Sequence, residues 1–212
     1  MKYGVILSAG ALAVAAVAVA AMPLQDAKAK TRGDDKAAAA GQMDPAMMAK
    51  MKELSTPGAQ HAELKKMVGT WNIAMKMWMA PGQPEMASTG TSTIEMVNDR
   101  FLVEHFSGEM PGMGHYEGTG TMGFNNGTKE YEHVWRDNSN TGMMWSHGTK
   151  GADGTVTMTG NSTCAMGPMT CRTVSKMNGD NAFHFEMYCT MAGQPEMKSM
   201  EMDYTRAGAT GR

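Results

Sequence analysis

The chain lacks the raw material for several kinds of protein. Among 212 residues there are three cysteines, 7% are aromatic, and Leu and Ile are scarce. Its six histidines form no HxH or HExxH, so no zinc spacing is present, and there is no nucleophile elbow. Gly118-Thr119-Gly120-Thr121 has the glycine density of a phosphate loop but lacks the Lys-Ser/Thr and the following helix. Acids such as Glu104 with Glu109, or Glu130 with Glu132, are not set apart as a general acid and base. A protein that is not an enzyme is the favoured expectation, with a hydrolase or isomerase inside the fold as the alternative. Nor is there a basic excess: 19 Lys+Arg against 21 Asp+Glu give a net charge of −2, which argues against a nucleic-acid partner.

One long apolar run exists, from Gly4 to Ala21, behind Lys2 and ending in Ala18-Val19-Ala20. A basic head, an apolar stretch and a small-residue ending make residues 1–21 a secretory signal peptide. The alternative is a retained anchor, but the run is at the short limit for crossing roughly 30 Å of hydrocarbon. The mature protein is therefore expected to be exported, periplasmic or secreted, with no stable membrane span.

Methionine is what the chain has in quantity, 26 residues. Its unbranched, polarizable side chain can fill core space that Leu or Val usually takes. Residues 22–42 mix charge, Gly and Ala without an apolar face and read as a flexible linker. Within a lead-in over 43–56, Asp44 can cap a short helix with Pro45 at its first position, running to about Leu54. After the Thr56-Pro57-Gly58 break, His61, Leu64, Met67 and Val68 are spaced for a second short helix, ended by Gly69.

From Trp71 the period changes to two: Trp71, Ile73, Met75, Met77 and Met79 alternate with Asn72, Ala74, Lys76 and Trp78. Turn signals then recur every eight to twelve residues and delimit about ten strands, the last being Met197 to Arg206. No connection is long enough for a crossover helix, so neighbours must run antiparallel. The fold expected over 57–206 is mostly β, an up-and-down antiparallel barrel of about ten strands, preferred to a sandwich because every connection is tight. Residues 207–212 read as a disordered tail. GQPEM at 82–86 and 193–197 reads as reuse of one turn sequence.

Gly69-Thr70-Trp71, opening the first strand after a short helix, resembles the signature of lipocalin-like (calycin) barrels. That resemblance implies that Trp71 closes one barrel end beneath an arginine of the last strand, here Arg206 of Tyr204-Thr205-Arg206. More specifically, the chain resembles the DUF1579 family, exported bacterial proteins of unknown function. The resemblance rests on Pro57-Gly58 with His61 and Leu64, GTW at 69–71, PGQP at 81–84, Arg100-Phe101-Leu102, GTGTMGFNNGTKEYEHVW at 118–135, and Tyr204-Thr205-Arg206. The chain departs in having Asn125 where the family usually shows Asp.

If the turn from Asp137 to Asn140 is tight, Tyr131, His133 and Trp135 come opposite His147, Trp145 and Met143 on one face. These six are the candidate pocket residues. They would line a cavity for a small apolar or amphipathic ligand, or simply be packed aromatics with satisfied histidines. Some calycin-like barrels bind haem through one histidine, so haem is the cofactor that resemblance keeps open. The stripe Met75, Met77, Met79 and the pair Met110 and Met113 could serve copper, since thioethers are soft ligands, or fill the core. Three functions follow: an exported ligand-binding barrel, a structural or stress-related envelope protein with a filled Met-rich core, or a haem- or copper-binding envelope protein.

Three cysteines leave one outside any bridge within the chain. A turn centred on Gly167-Pro168 would set Cys164 against Cys171, the favoured pair, with Cys171–Cys189 or no bridge within the chain as the alternatives.

Overall fold

The computed structural model describes residues 43–208; the expected signal peptide, the linker and residues 209–212 lie outside that range. The first helix, α1 (Pro45–Ser55), begins as its sequence predicts: the Ala46 amide donates to Asp44 Oδ1 at 2.8 Å, and Pro45 takes the position that needs no amide partner. None of its residues is buried. It is tied to the rest by its end, where Asn126 Nδ2 donates to the carbonyls of Glu53, Leu54 and Thr56 and Arg100 donates to that of Ser55. These are carbonyls that a helix terminus leaves open. The second helix, α2 (Ala59–Leu64), continues into a 3₁₀ turn at Lys65–Met67 and buries His61 and Leu64. Its His61 ring stands edge-on to Phe124 at 6.0 Å, so the helix covers one end of the sheet structure.

Ten strands follow: β1 (Gly69–Met77), β2 (Met86–Val97), β3 (Phe101–Met110), β4 (Gly114–Asn125), β5 (Glu130–Asp137), β6 (Met144–Lys150), β7 (Val156–Cys164), β8 (Gly167–Met177), β9 (Ala182–Met191) and β10 (Met197–Arg206). Each pairs antiparallel with the next, and β1 pairs with β10 to close the barrel. Closure leaves no sheet edge among the ten. Because side chains alternate along a strand, one set from each lines the interior. In β1 that set is Trp71, Ile73, Met75 and Met77, all buried. Met79, expected to extend the stripe, lies beyond the strand and is 67% exposed.

The covered end is fastened by Trp71. Its indole is fully buried, donates from Nε1 to the Met67 carbonyl at 2.9 Å, and meets Phe183 edge-on at 4.9 Å. The Arg206 guanidinium lies 4.2 Å from the indole centroid and donates to the carbonyls of Val68, Lys66 and Asp180. Gly69 makes this possible. Its φ is +138°, and a Cβ there would stand 2.4 Å from Arg206 Nη1. Asn125 serves its own turn: its Oδ1 accepts from the amides of Gly127 and Thr128, a role open equally to Asp.

Two registers differ from expectation. The β7–β8 turn falls on Ala165 and Met166, not on Gly167-Pro168, so Cys164 pairs with Gly167 and Cys171 with Gly160. On the other side of β8, Cys171 and Cys189 are direct partners, 4.1 Å apart at Cα, and they form the disulfide. The favoured Cys164–Cys171 pairing is thus replaced by Cys171–Cys189, and Cys164 is free. The β5–β6 connection, residues 138–143, is longer than a tight turn. It sets Tyr131 opposite Gly148, His133 opposite Ser146 and Trp135 opposite Met144.

Candidate functional site

That one-residue change divides the predicted face, because a slip of one residue sends every side chain to the other side of a sheet. Tyr131, His133 and Trp135 point into the barrel, as β5 requires. Met143, Trp145 and His147 do not join them: Met143 and Trp145 are 51% and 64% exposed, and His147 lies outside with Nδ1 3.3 Å from Glu130 Oε1. Their inward places are taken by Met144, Ser146 and Gly148.

Inside the barrel is a cavity of about 290 Å³ that His133 and Trp135 line. Tyr131 belongs instead to a neighbouring space of about 210 Å³ beneath the covering helix, with Leu64 and Met67. Much of the cavity wall is methionine, supplied by β4, β6, β7, β8, β9 and β10, among them Met122, Met158, Met187 and Met202. Phe106, Phe183 and Phe185 complete its apolar part. The GTG segment that suggests a phosphate loop has a packing role here. A Cβ on Gly118 would stand 2.1 Å from Trp135 Cζ2, and one on Gly120 would stand 2.9 Å from His133 Nε2. The two glycines leave a bare strip of β4 over which the indole and imidazole lie.

The polar groups form two clusters. Near the end opposite α2, Trp135 Nε1 donates to Tyr116 Oη and to Asp137 Oδ2, each at 3.0 Å. Tyr116 donates to the same Asp137 oxygen at 2.9 Å, and Ser139 Oγ to the other at 2.6 Å. Burial alone would raise the Asp137 carboxyl, but these donors outweigh it and hold its pKa below the usual carboxylate value. Deeper in, Glu104 Oε1 accepts from Ser92 Oγ at 2.6 Å and from Tyr204 Oη at 3.3 Å. Burial pushes the Glu104 carboxyl up despite those donors, and it pushes the Tyr204 and Tyr116 hydroxyls up as well. His133 has no such support: burial alone lowers its imidazole to about 4, so the ring is neutral near pH 7. Both His133 and Glu104 keep partial accessibility because they border the cavity. Thr173 Oγ1, also in the lining, is buried without a hydrogen-bond partner.

Glu104, Tyr204 and Asp137 are absent from the set that the sequence suggests. Glu104 carries a readable signal, for it shares inward parity with Leu102 and Phe106 and so places a carboxyl on an apolar stripe. Outside the barrel, His184, Glu186 and Glu201 bring one potential metal-ligand atom each within 4.8 Å of the others. The Lys198 ammonium already donates to both Glu186 and Glu201, so this cluster holds a cation of its own.

No curated protein matches the chain. Its structure is similar to the crystal structure of Rv2717c from M. tuberculosis, with a TM-score of 0.53 at 13% identity over 71% of this chain and 99% of that one. At that identity the likeness concerns the fold alone. Residues 56–206 match the family described as "Protein of unknown function (DUF1579)". The match takes in all ten strands and both cavity clusters, and the chain belongs to the DUF1579 family.

Proposed function

We propose that this protein is an exported binding barrel that holds a small apolar or amphipathic ligand in its interior. The observation that carries the reading is the cavity of about 290 Å³, walled by methionine and aromatic side chains and holding polar groups that lack protein partners. Such a space, mostly apolar with a few placed polar groups, is the usual form of a small-molecule site, and its volume suits a small occupant. A filled Met-rich core would leave no reason for Thr173 and His133 to face an opening. A lipocalin-type relationship is supported by the closed meander and by the Trp71–Arg206 contact behind Gly69. Export is supported by the N-terminal sequence and by the Cys171–Cys189 bridge, since disulfides persist in oxidising compartments. No helix among the described residues is long and apolar enough to cross a membrane.

Native mass spectrometry of the protein purified from its own envelope tests the reading. A mass above that of the mature chain, lost on mild activation, is expected. A bare mass, together with no change in Trp135 emission on adding apolar probes, would refute it. A haemin titration giving a Soret band that disappears in His133→Ala would favour the haem reading instead.

A further inference from the structure

We propose that the interior ligand is an organic cation, an apolar amine whose nitrogen is taken up between Glu104 and His133. The inference rests on the interior-binding reading and adds the chemical class of the occupant.

Its first support is the charge of the lining. The cavity is bordered by the carboxyls of Glu104 and Asp137, and no Lys or Arg among the described residues reaches it. A fatty acid or phosphate ester there would bury an anion without a counter-charge, beside two acids, which is prohibitive.

Geometry gives the second. Glu104, Gly120 and Trp135 are successive partners across β3, β4 and β5. Gly120 contributes no side chain, and the Trp135 indole takes up the room this leaves, its Cε3 3.2 Å from where a Cβ would be. His133 Nε2 leans into the same gap, to within 2.9 Å of where a Cβ on Gly120 would be. At this level the cavity wall therefore brings together a carboxyl, an imidazole and an indole.

The third support is the pattern of unmet hydrogen bonds. Ser92 and Tyr204 both donate to Glu104 Oε1, leaving Oε2 on the cavity side with no protein donor. The His133 imidazole is deep in the barrel, neutral, and stabilised by no hydrogen bond or opposite charge. Two groups able to accept a hydrogen bond, Glu104 Oε2 and one ring nitrogen of His133, thus border the same cavity with no protein donor bound to them. An ammonium group supplies several donors and a positive charge at once. Trp135 and Tyr116, both in the lining, are aromatic rings of the kind that attract such a cation when it is desolvated. The ammonium carries its own proton in and forms an ion pair with the Glu104 carboxylate.

Octylammonium, octanol and octanoate share one chain length and differ in the head group, so calorimetric titration of the three into the intact protein near neutral pH tests the inference. Octylammonium should bind about tenfold or more tighter than octanol, and octanoate should give no binding heat. In Glu104→Gln the preference for octylammonium over octanol should fall to within about threefold. Equal binding of octanol and octylammonium, or binding of octanoate, overturns the cation inference and leaves the cavity reading standing. Absence of heat from all three removes both. Because the comparison among head groups uses the wild-type chain, it stands even where the variant misfolds.

Discussion

Replacing Trp71 by Ala tests how the barrel is closed. The indole is fully buried, touches Phe183 and is covered by Arg206, and losing such a ring from a core costs about 3–5 kcal/mol. For a domain of this size, that corresponds to a fall in Tm of about 6–20 °C. Arg206→Ala removes the cation over the ring and uncovers the carbonyls of Val68, Lys66 and Asp180, a loss of about 2–3 kcal/mol. The two losses share one contact, so the double variant should fall short of their sum by about 1–2 kcal/mol. Urea denaturation of the four proteins, followed by fluorescence and by circular dichroism, supplies the cycle. Additivity within about 0.5 kcal/mol would show that Arg206 does not act through the indole. An unchanged midpoint and slope in Trp71→Ala would refute the closure argument altogether.

His133, held neutral by burial with a pKa of about 4 against an ordinary 6.5, binds its proton more readily when the chain is unfolded. Its contribution is therefore present above about pH 6.5 and lost as pH falls to about 4, on the order of 3 kcal/mol, and His133→Gln should flatten that part of the pH–stability curve. A variant with the wild-type slope would show the ring to be solvated. Digestion without reduction should release a peptide pair joined through Cys171 and Cys189 with Cys164 open to alkylation, and Cys171→Ser should cost up to about 3 kcal/mol for a loop of 18 residues. Linkage of Cys164 to Cys171 would overturn the β7–β8 register. Gly118→Ala should displace the Trp135 indole at a cost of about 1–3 kcal/mol and shift its emission, whereas an unaltered spectrum would mean that the ring does not lie on β4.

The sequence makes the architecture legible because it repeats its message. Trp71 to Met77 alternates cleanly, turn residues recur at strand spacing, and no connection can hold a helix. The site is less legible because it depends on parity relations between strands, where one residue decides everything. Residues 138–143 include Thr141-Gly142-Met143, whose turn chemistry does not announce a six-residue loop, and the resulting register sends Trp145 outward. The cysteines fail for a related reason. Gly167-Pro168 has the composition of a turn, but the chain reverses on Ala165-Met166, and Pro168 sits within the strand opposite Thr163. Glu104 was readable by parity alone, since an acid between Leu102 and Phe106 on an inward stripe is out of place unless it serves something.

The closing seam also has a mechanical meaning. Of the ten neighbouring pairs, β1 and β10 alone are not joined by a turn, and their ladder begins at Trp71 opposite Arg206, at the end where the chain both enters and leaves. Tension applied to the two chain ends therefore loads this ladder as a zipper, one pair after another, rather than in shear along its length. The Arg206 clamp is the first resistance met, and once it yields, the remaining pairs down to Met77 and Met200 should part at low force. Stretching then stops short at the Cys171–Cys189 bridge, which withholds roughly 60 Å of contour until it is reduced, so the extension of a single pulled molecule would report its thiol state directly.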